Sequence, residues 1–228
     1  SRIPDLIIYN SNRSLKQHRS IGYNRENDFS IPNGFDTKAW KPNKKIRAYL
    51  RNKHGISKTT KVIGYVGRGD DQKDIPTLFK AFDKVCKKHS NIILLTIGRN
   101  LRQYSTNNKN IIFLGQQSNL ENLMNAFDLL CLSSKAEGFP NVIGEAMSTG
   151  IPCVTTDVGD AKDIVGETGW ISPPNDPISL ANCLDSALKK PKGQLKKYGK
   201  IARKKIISNF SIDRVKNQYI SLYNSTLD

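Results

Sequence analysis

Lys61-Val62-Ile63-Gly64-Tyr65-Val66-Gly67 and Asn91-Ile92-Ile93-Leu94-Leu95-Thr96-Ile97-Gly98 are two apolar runs, each ending in glycine. Apolar runs without polar alternation read as strands covered on both faces. Between them, Asp74 to Lys88 sets Leu78, Phe79, Phe82 and Val85 on one helical face. Asp74 is a good N-cap, and Pro76 falls in the first turn, where its missing amide costs nothing. A strand, a helix and a second strand of this kind make a parallel pair joined by a crossover.

The same grammar continues downstream. Ile111 to Gly115, Leu129 to Ser133, Pro152 to Thr156 and Gly169 to Ser172 read as short strands. Leu120 to Phe127, Asn141 to Ser148 and Asp160 to Val165 read as helices, followed by helices at about 176–190, 194–208 and 212–224. The expected fold class is α/β: a Rossmann-like, doubly wound parallel sheet with helices on both faces. Upstream, Asp5 to Ser11 reads as a strand, followed by a polar helix to about Gly22. A second strand leads to the turn Pro32-Asn33-Gly34. Residues 36–60 are basic, hold Pro42 and few aliphatics, and read as a linker. The expected division is a remnant of a preceding domain plus linker over 1–58, and the main domain with its C-terminal helices over 59–228.

Of the 228 residues, 37% are apolar, enough for a real core, and no apolar run approaches the ~18 residues of a membrane helix. No secretory signal opens the sequence, which points to a cytoplasmic setting. Cys86, Cys131, Cys153 and Cys183 form no Cys-x-x-Cys pair and read as free thiols in a reducing compartment. With His18, His54 and His89 scattered, no metal-ligand spacing is present. The formal charge of +16, from 36 Lys and Arg against 20 Asp and Glu, favours anionic partners: nucleic acid, acidic membrane or phosphorylated substrates. A composition biased towards Lys, Asn and Ile produces the same excess without any such partner. A nucleic-acid binder needs aromatics interleaved with its cations. The lysine-rich stretch 189–205 has only Tyr198, so no nucleic acid is expected, whereas peripheral contact with an acidic membrane stays open.

In an open α/β sheet, ligands sit beyond the carboxyl ends of the strands. After the first long strand comes Gly67-Arg68-Gly69-Asp70-Asp71-Gln72-Lys73. Gly67 lets backbone approach a ligand, and Arg68 and Lys73 suit one diphosphate, as a planar fork and a point charge. Gly115 follows a later strand, where backbone groups are placed to meet the edge of a base, with an ordinary loop turn as the plain alternative. After Ser133-Ser134 comes Glu137-Gly138-Phe139-Pro140-Asn141-Val142-Ile143-Gly144-Glu145. This segment offers helix N-terminal amides to a phosphate and two carboxylates to hydroxyls. Two solvated cations on a loop, and carboxylates that only stabilise a helix dipole by ~0.3–1 kcal/mol, are the plain alternatives. Glu145, set among Val142, Ile143, Ala146 and Met147, needs a partner if it is ionised.

At these residues the chain resembles the retaining glycosyltransferases of family 4, which have the GT-B architecture of two Rossmann-like domains. Gly67-Arg68, Lys73 and the Glu137-x7-Glu145 motif carry the likeness, in the family's order. Ile31-Pro32-Asn33-Gly34-Phe35-Asp36 looks like the family's interdomain connector, and Thr156-Asp157-Val158-Gly159 like its later glycine turn. The resemblance implies the donor-binding C-terminal half of such an enzyme, with most of the N-terminal, acceptor-binding domain missing. It implies binding of a nucleoside-diphosphate sugar, a UDP-sugar, and retaining transfer of its glycosyl group to the hydroxyl of an acceptor glycan or lipid-linked glycan. Arg68, Lys73 and Glu137 would take the catalytic roles. Gly67, Gly115, Gly138, Phe139, Pro140, Asn141, Val142 and Glu145 would hold the donor, with Glu145 on the ribose and no metal or other cofactor. Three positions depart from the family pattern: Asp74 follows the lysine where glycine is usual, Gly98-Arg99-Asn100-Leu101 replaces Gly-x-Gly-Pro, and Asp160 replaces the second glycine of the later turn. A non-catalytic nucleotide- or sugar-binding module, or another GT-B enzyme such as a sugar-nucleotide epimerase, is the alternative on the same fold.

Overall fold

The structure is a computed structural model that describes residues 6–23 and 27–227. Two short strands, β1 (Ile7–Tyr9) and β2 (Asp28–Ser30), pair in parallel as a small separate sheet. Between them runs α1 (Asn12–Ser20). Asp5, placed at the start of the first strand by the sequence reading, lies outside the described residues.

The main sheet has six parallel strands: β3 (Lys61–Val66), β4 (Ile92–Ile97), β5 (Ile111–Phe113), β6 (Leu129–Leu132), β7 (Cys153–Thr156) and β8 (Trp170–Ser172). Their order is β5-β4-β3-β6-β7-β8. The winding reverses between β3 and β6, so the crevice for a ligand opens at the carboxyl ends of those two strands. Alternate residues feed opposite faces. Ile63, Tyr65, Leu94 and Leu129 pack with α3 (Ile75–Cys86) and α7 (Pro177–Lys189). Val62, Leu95, Leu130 and Leu132 pack with α5 (Asn141–Ser148), α6 (Ala161–Val165) and α8 (Lys192–Phe210). Each such fully buried Leu or Ile contributes roughly 1.5–3 kcal/mol.

The stretch 36–60 is not a linker. It carries α2 (Lys44–Lys53), whose N-cap Asn43 accepts from the amides of Lys45 and Ile46. Arg47 and Arg51, one turn apart, share one carboxylate: Arg47 Nη2 lies 2.6 Å from Asp128 Oδ1, and Arg51 Nη1 lies 3.1 Å from Oδ2. Phe35, Leu50 and Ile56 join the core of the main sheet, so packing is continuous across residue 58. Ile46 and Leu50 make a short aliphatic stripe, and charged hydrogen bonds from Arg47 and Arg51 extend it.

The chain closes with α9 (Ile212–Leu227), whose Val215 and Leu222 pack on Ile31, Leu6 and Ile8. The connector is strapped to the α8–α9 junction: Phe35 N donates to Phe210 O at 2.8 Å, and Ile212 N donates to Phe35 O at 2.9 Å. Gly144 is required here, because a Cβ on it would lie 2.0 Å from the Phe35 ring. α4 (Leu120–Leu123) and a following 3-10 turn fill the gap before β6. All four cysteines are free, with Cys131 and Cys153 buried, where loss of water pushes both thiols up. Among the described residues, no helix is long and apolar enough to cross a membrane.

Candidate functional site

The loops after β3 and β6 are bonded to each other at the switch point. Lys135 N donates to Gln72 O, and Gln72 Nε2 to Ala136 O, both at 2.8 Å. Ser133 Oγ donates to Lys73 O at 2.9 Å, and Asp70 accepts from Lys73 N at 3.1 Å. These bonds bring together two side chains 64 positions apart: Lys73 Nζ stands 2.5 Å from Glu137 Oε1. The same oxygen accepts from Ser134 Oγ at 2.7 Å. The Lys73 and Glu137 side chains are 19% and 11% exposed, so the pair is shielded from water and strengthened by that shielding.

The other expected residues divide. Arg68 sits beside this pair in sequence but turns to solvent, with Nε 3.3 Å from Asp70 Oδ2. Gly67 N donates to Ile97 O, which holds the first turn against β4. Gly115 lines a separate cavity of about 360 Å³ with Arg99, Phe113 and Gln116. At the start of α5, Pro140 is extended and no side chain caps the helix. The amides of Gly138, Phe139, Asn141 and Val142 have no acceptor among the described residues. Unpaired amides at a helix start are what an anion requires. The Phe139 side chain belongs to the core, stacked 6.1 Å from Phe35 and tilted against Phe210 at 5.9 Å, which leaves only its backbone for a ligand. Asn141 Oδ1 accepts from Asn33 Nδ2 at 2.7 Å, and Val142 packs partly into the core.

Glu137 and Glu145 line different cavities. Glu137 borders about 230 Å³ together with Arg13, Ser14, Lys135 and Asp157. Glu145 and Asn141 border about 420 Å³ between α5, the 32–36 connector, Trp40 and α9. Among the described residues the Glu145 carboxylate has no hydrogen-bond partner. Burial raises its pKa from 4.5 to about 7. Near neutral pH it therefore both donates and accepts, which matches a hydroxyl-bearing ligand.

Sequence reasoning missed one anchor. Asp160, buried at 5% exposure, accepts from Ser11 Oγ and Asn12 N at 2.8 Å and from Arg13 N at 3.0 Å. It thus caps α1 from the far end of the chain, and Arg13 Nη1 adds an ion pair to Asp157 at 3.0 Å. Gly159, at φ +50, lets this turn press on Gly138, whose oxygen a Cβ would approach to 2.1 Å. The only sequence signal was the aspartate standing in place of the second glycine of that turn. Among the described residues, no three His, Cys, Asp or Glu side chains gather where they could hold a metal ion.

The strand order and the position of the crevice define a Rossmann-like α/β domain with a site suited to an anion. Residues 47–205 match the family described as Glycosyl transferases group 1, and the chain belongs to that family. It is 26% identical over 194 residues to the N-acetyl-alpha-D-glucosaminyl L-malate synthase of Bacillus anthracis, covering 81% of this chain and 50% of that protein. It is 29% identical over 185 residues to the capsular polysaccharide biosynthesis glycosyltransferase CapM of Staphylococcus aureus, covering 76% and 48%. The chain thus spans about half the length of these relatives. The solved structure of Anabaena Alr3699/HepE, in complex with UDP and glucose, matches 98% of this chain and 64% of its own with a TM-score of 0.89 at 24% identity. The expected fold class and the GT-B family assignment therefore hold.

Proposed function

We propose that this chain is the donor-binding half of a retaining glycosyltransferase that takes its glycosyl group from a UDP-sugar. The observation that carries the reading is the Lys73–Glu137 pair, 2.5 Å apart at the switch point and beside the uncapped start of α5. Lys73 and Arg68 hold the diphosphate and offset the charge that builds on it as the glycosyl bond breaks, as preorganised cations do. With these cations and the helix amides supplying the electrostatics, the reaction proceeds without a metal. Lys73 leaves its carboxylate for the diphosphate, and Glu137 turns to the sugar hydroxyls. The amides of Gly138, Phe139, Asn141 and Val142 meet phosphate or sugar, and Pro140 shapes that turn. Gly67 and Gly115 admit the nucleotide, and Glu145 holds the ribose. The acceptor is a glycan or lipid-linked glycan, presented at the cytoplasmic face of a membrane by an acceptor-binding half. The occurrence of CapM among the relatives supports polysaccharide assembly as the setting.

A thermal-shift panel of nucleoside diphosphates and their sugars tests this. A ligand that binds only the folded chain stabilises it by about 2.7 kcal/mol at a hundredfold excess over its Kd. UDP and a UDP-sugar raise the melting temperature; a flat response to the whole panel overturns the reading. Product analysis then separates transfer from epimerisation or mere binding.

A further inference from the structure

The positive charge is not spread evenly. Residues 37–60 and 186–212 hold 17 of the 36 Lys and Arg and no Asp or Glu. The fold lays these two segments side by side, antiparallel. Arg203 donates to Trp40 O at 2.8 Å and to Thr37 O at 2.9 Å. Gly150 links the middle, with Pro42 on one side and Gly199 on the other. Lys192 Nζ donates to Lys58 O at 2.6 Å. Both α2 and α8 pack on the same face of the sheet, and these bonds hold the residues flanking α2 against α8 there.

That surface has a repeated pattern. On α8, Leu195, Gly199, Ala202 and Ile206 face inward. The opposite stripe reads Lys197, Lys200, Ile201, Lys204, Ile207, residues three or four apart and so on one face. Ile201 is 58% exposed and Ile207 44%. On α2 the outer stripe is Lys45, Tyr49, Lys53, with Tyr49 64% exposed. Exposed apolar side chains bracketed by lysines one turn away suit a layer with anionic head groups above and hydrocarbon below. A nucleic acid would use aromatics spaced to stack bases, and among the described residues of α2 and α8 Tyr49 is the one exposed aromatic.

We propose that the α2–α8 surface docks on an anionic phospholipid bilayer, with Lys197, Lys200, Lys204 and Lys45 on the head groups and Ile201 and Tyr49 at the boundary. This face is separate from the donor crevice and does not depend on the glycosyltransferase reading.

The test is co-sedimentation with phosphatidylcholine vesicles, with and without phosphatidylglycerol. Each lysine near an anionic surface contributes about 1 kcal/mol, or roughly fivefold in partition. The variant K197Q/K200Q/K204Q should lose on the order of a hundredfold. A control with the same loss of charge on α3 and its C-cap, at the opposite face of the sheet, K80Q/K84Q/K87Q, should bind nearly as wild type. Ile201→Ser should weaken the binding that remains at raised salt. UDP affinity should be the same in all of these variants, which separates this proposal from the one above. Equal loss in the α3 control, or no preference for phosphatidylglycerol, overturns the proposal. Duplex DNA displacing the chain from vesicles at equal phosphate concentration would reassign the surface to nucleic acid.

Discussion

Glu145 offers a prediction in which stability and function move in opposite directions. Its carboxyl group faces a cavity walled by Asn33, Asp36, Trp40, Lys216 and Tyr219, and burial raises its pKa from 4.5 to about 7. Each pKa step is worth about 1.4 kcal/mol, so ionising Glu145 in the folded chain costs about 3 kcal/mol. The sign follows from proton binding. Below pH 4.5 both folded and unfolded chains hold the proton, and the cost is absent. Between 4.5 and 7 only the folded chain holds it, so stability falls as pH rises; above 7 the full cost is present. Glu145→Gln stays neutral throughout. It should match wild type at pH 4 and melt higher at pH 8, by about 6–12 °C at 2–4 °C per kcal/mol for a chain of this size. The assay is a series of thermal melts of both proteins across that range. On the proposed ribose role, the same substitution should weaken UDP binding above pH 7, because an amide oxygen accepts a hydroxyl more weakly than an ionised carboxylate does. Parallel pH curves for the two proteins would refute the buried carboxylate, and unchanged UDP affinity would remove Glu145 from the ribose.

Three further outcomes follow from the geometry. In a protein carrying both halves, Lys73→Met should lower turnover ~100–1000-fold, the scale seen when one preorganised charge-stabilising donor is lost, and Arg68→Ala should lower it less; unchanged turnover in both withdraws their roles. Asp160→Ala strips three hydrogen bonds from the start of α1 and should cost about 1–3 kcal/mol. Hydrogen exchange at the Asn12 and Arg13 amides should accelerate, and unaltered protection there would contradict the cap. Gly144→Ala drives a methyl into the Phe35 ring and should cost about 1–3 kcal/mol. Phe35→Ala in the same chain should recover part of that cost, whereas simple additivity in the double mutant would argue against the contact.

The sheet was legible because its strands are nearly pure aliphatic runs and each crossover helix carries a clear apolar stripe. Asn141–Ser148 lies where its pattern placed it, after a strand and a Gly-x-Pro turn. α2 was not legible: its anchors are Arg47 and Arg51 on Asp128, and side-chain polarity hides a helix held by charge. The candidate site was half legible. Lys73 and Glu137 were both singled out, but no spacing rule says that residues 64 apart touch; the parallel order of β3 and β6 does that. The spacing of Glu137 and Glu145 on one segment suggested grips on the sugar and ribose ends of one donor. The helical turn between them instead directs the two carboxylates into different cavities. Asp160 was visible only as a departure from a pattern, since its partners lie about 150 positions away.

The most direct measurement is a calorimetric titration of UDP into the wild-type chain and into Lys73→Met, with a melt of each to confirm folding. The wild type should bind, and the variant, equally folded, should bind at least about tenfold more weakly, the loss of one charge-assisted contact. Equal affinity in the two proteins, or no UDP binding by the wild type, would contradict the placement of a nucleoside diphosphate at the Lys73–Glu137 crevice.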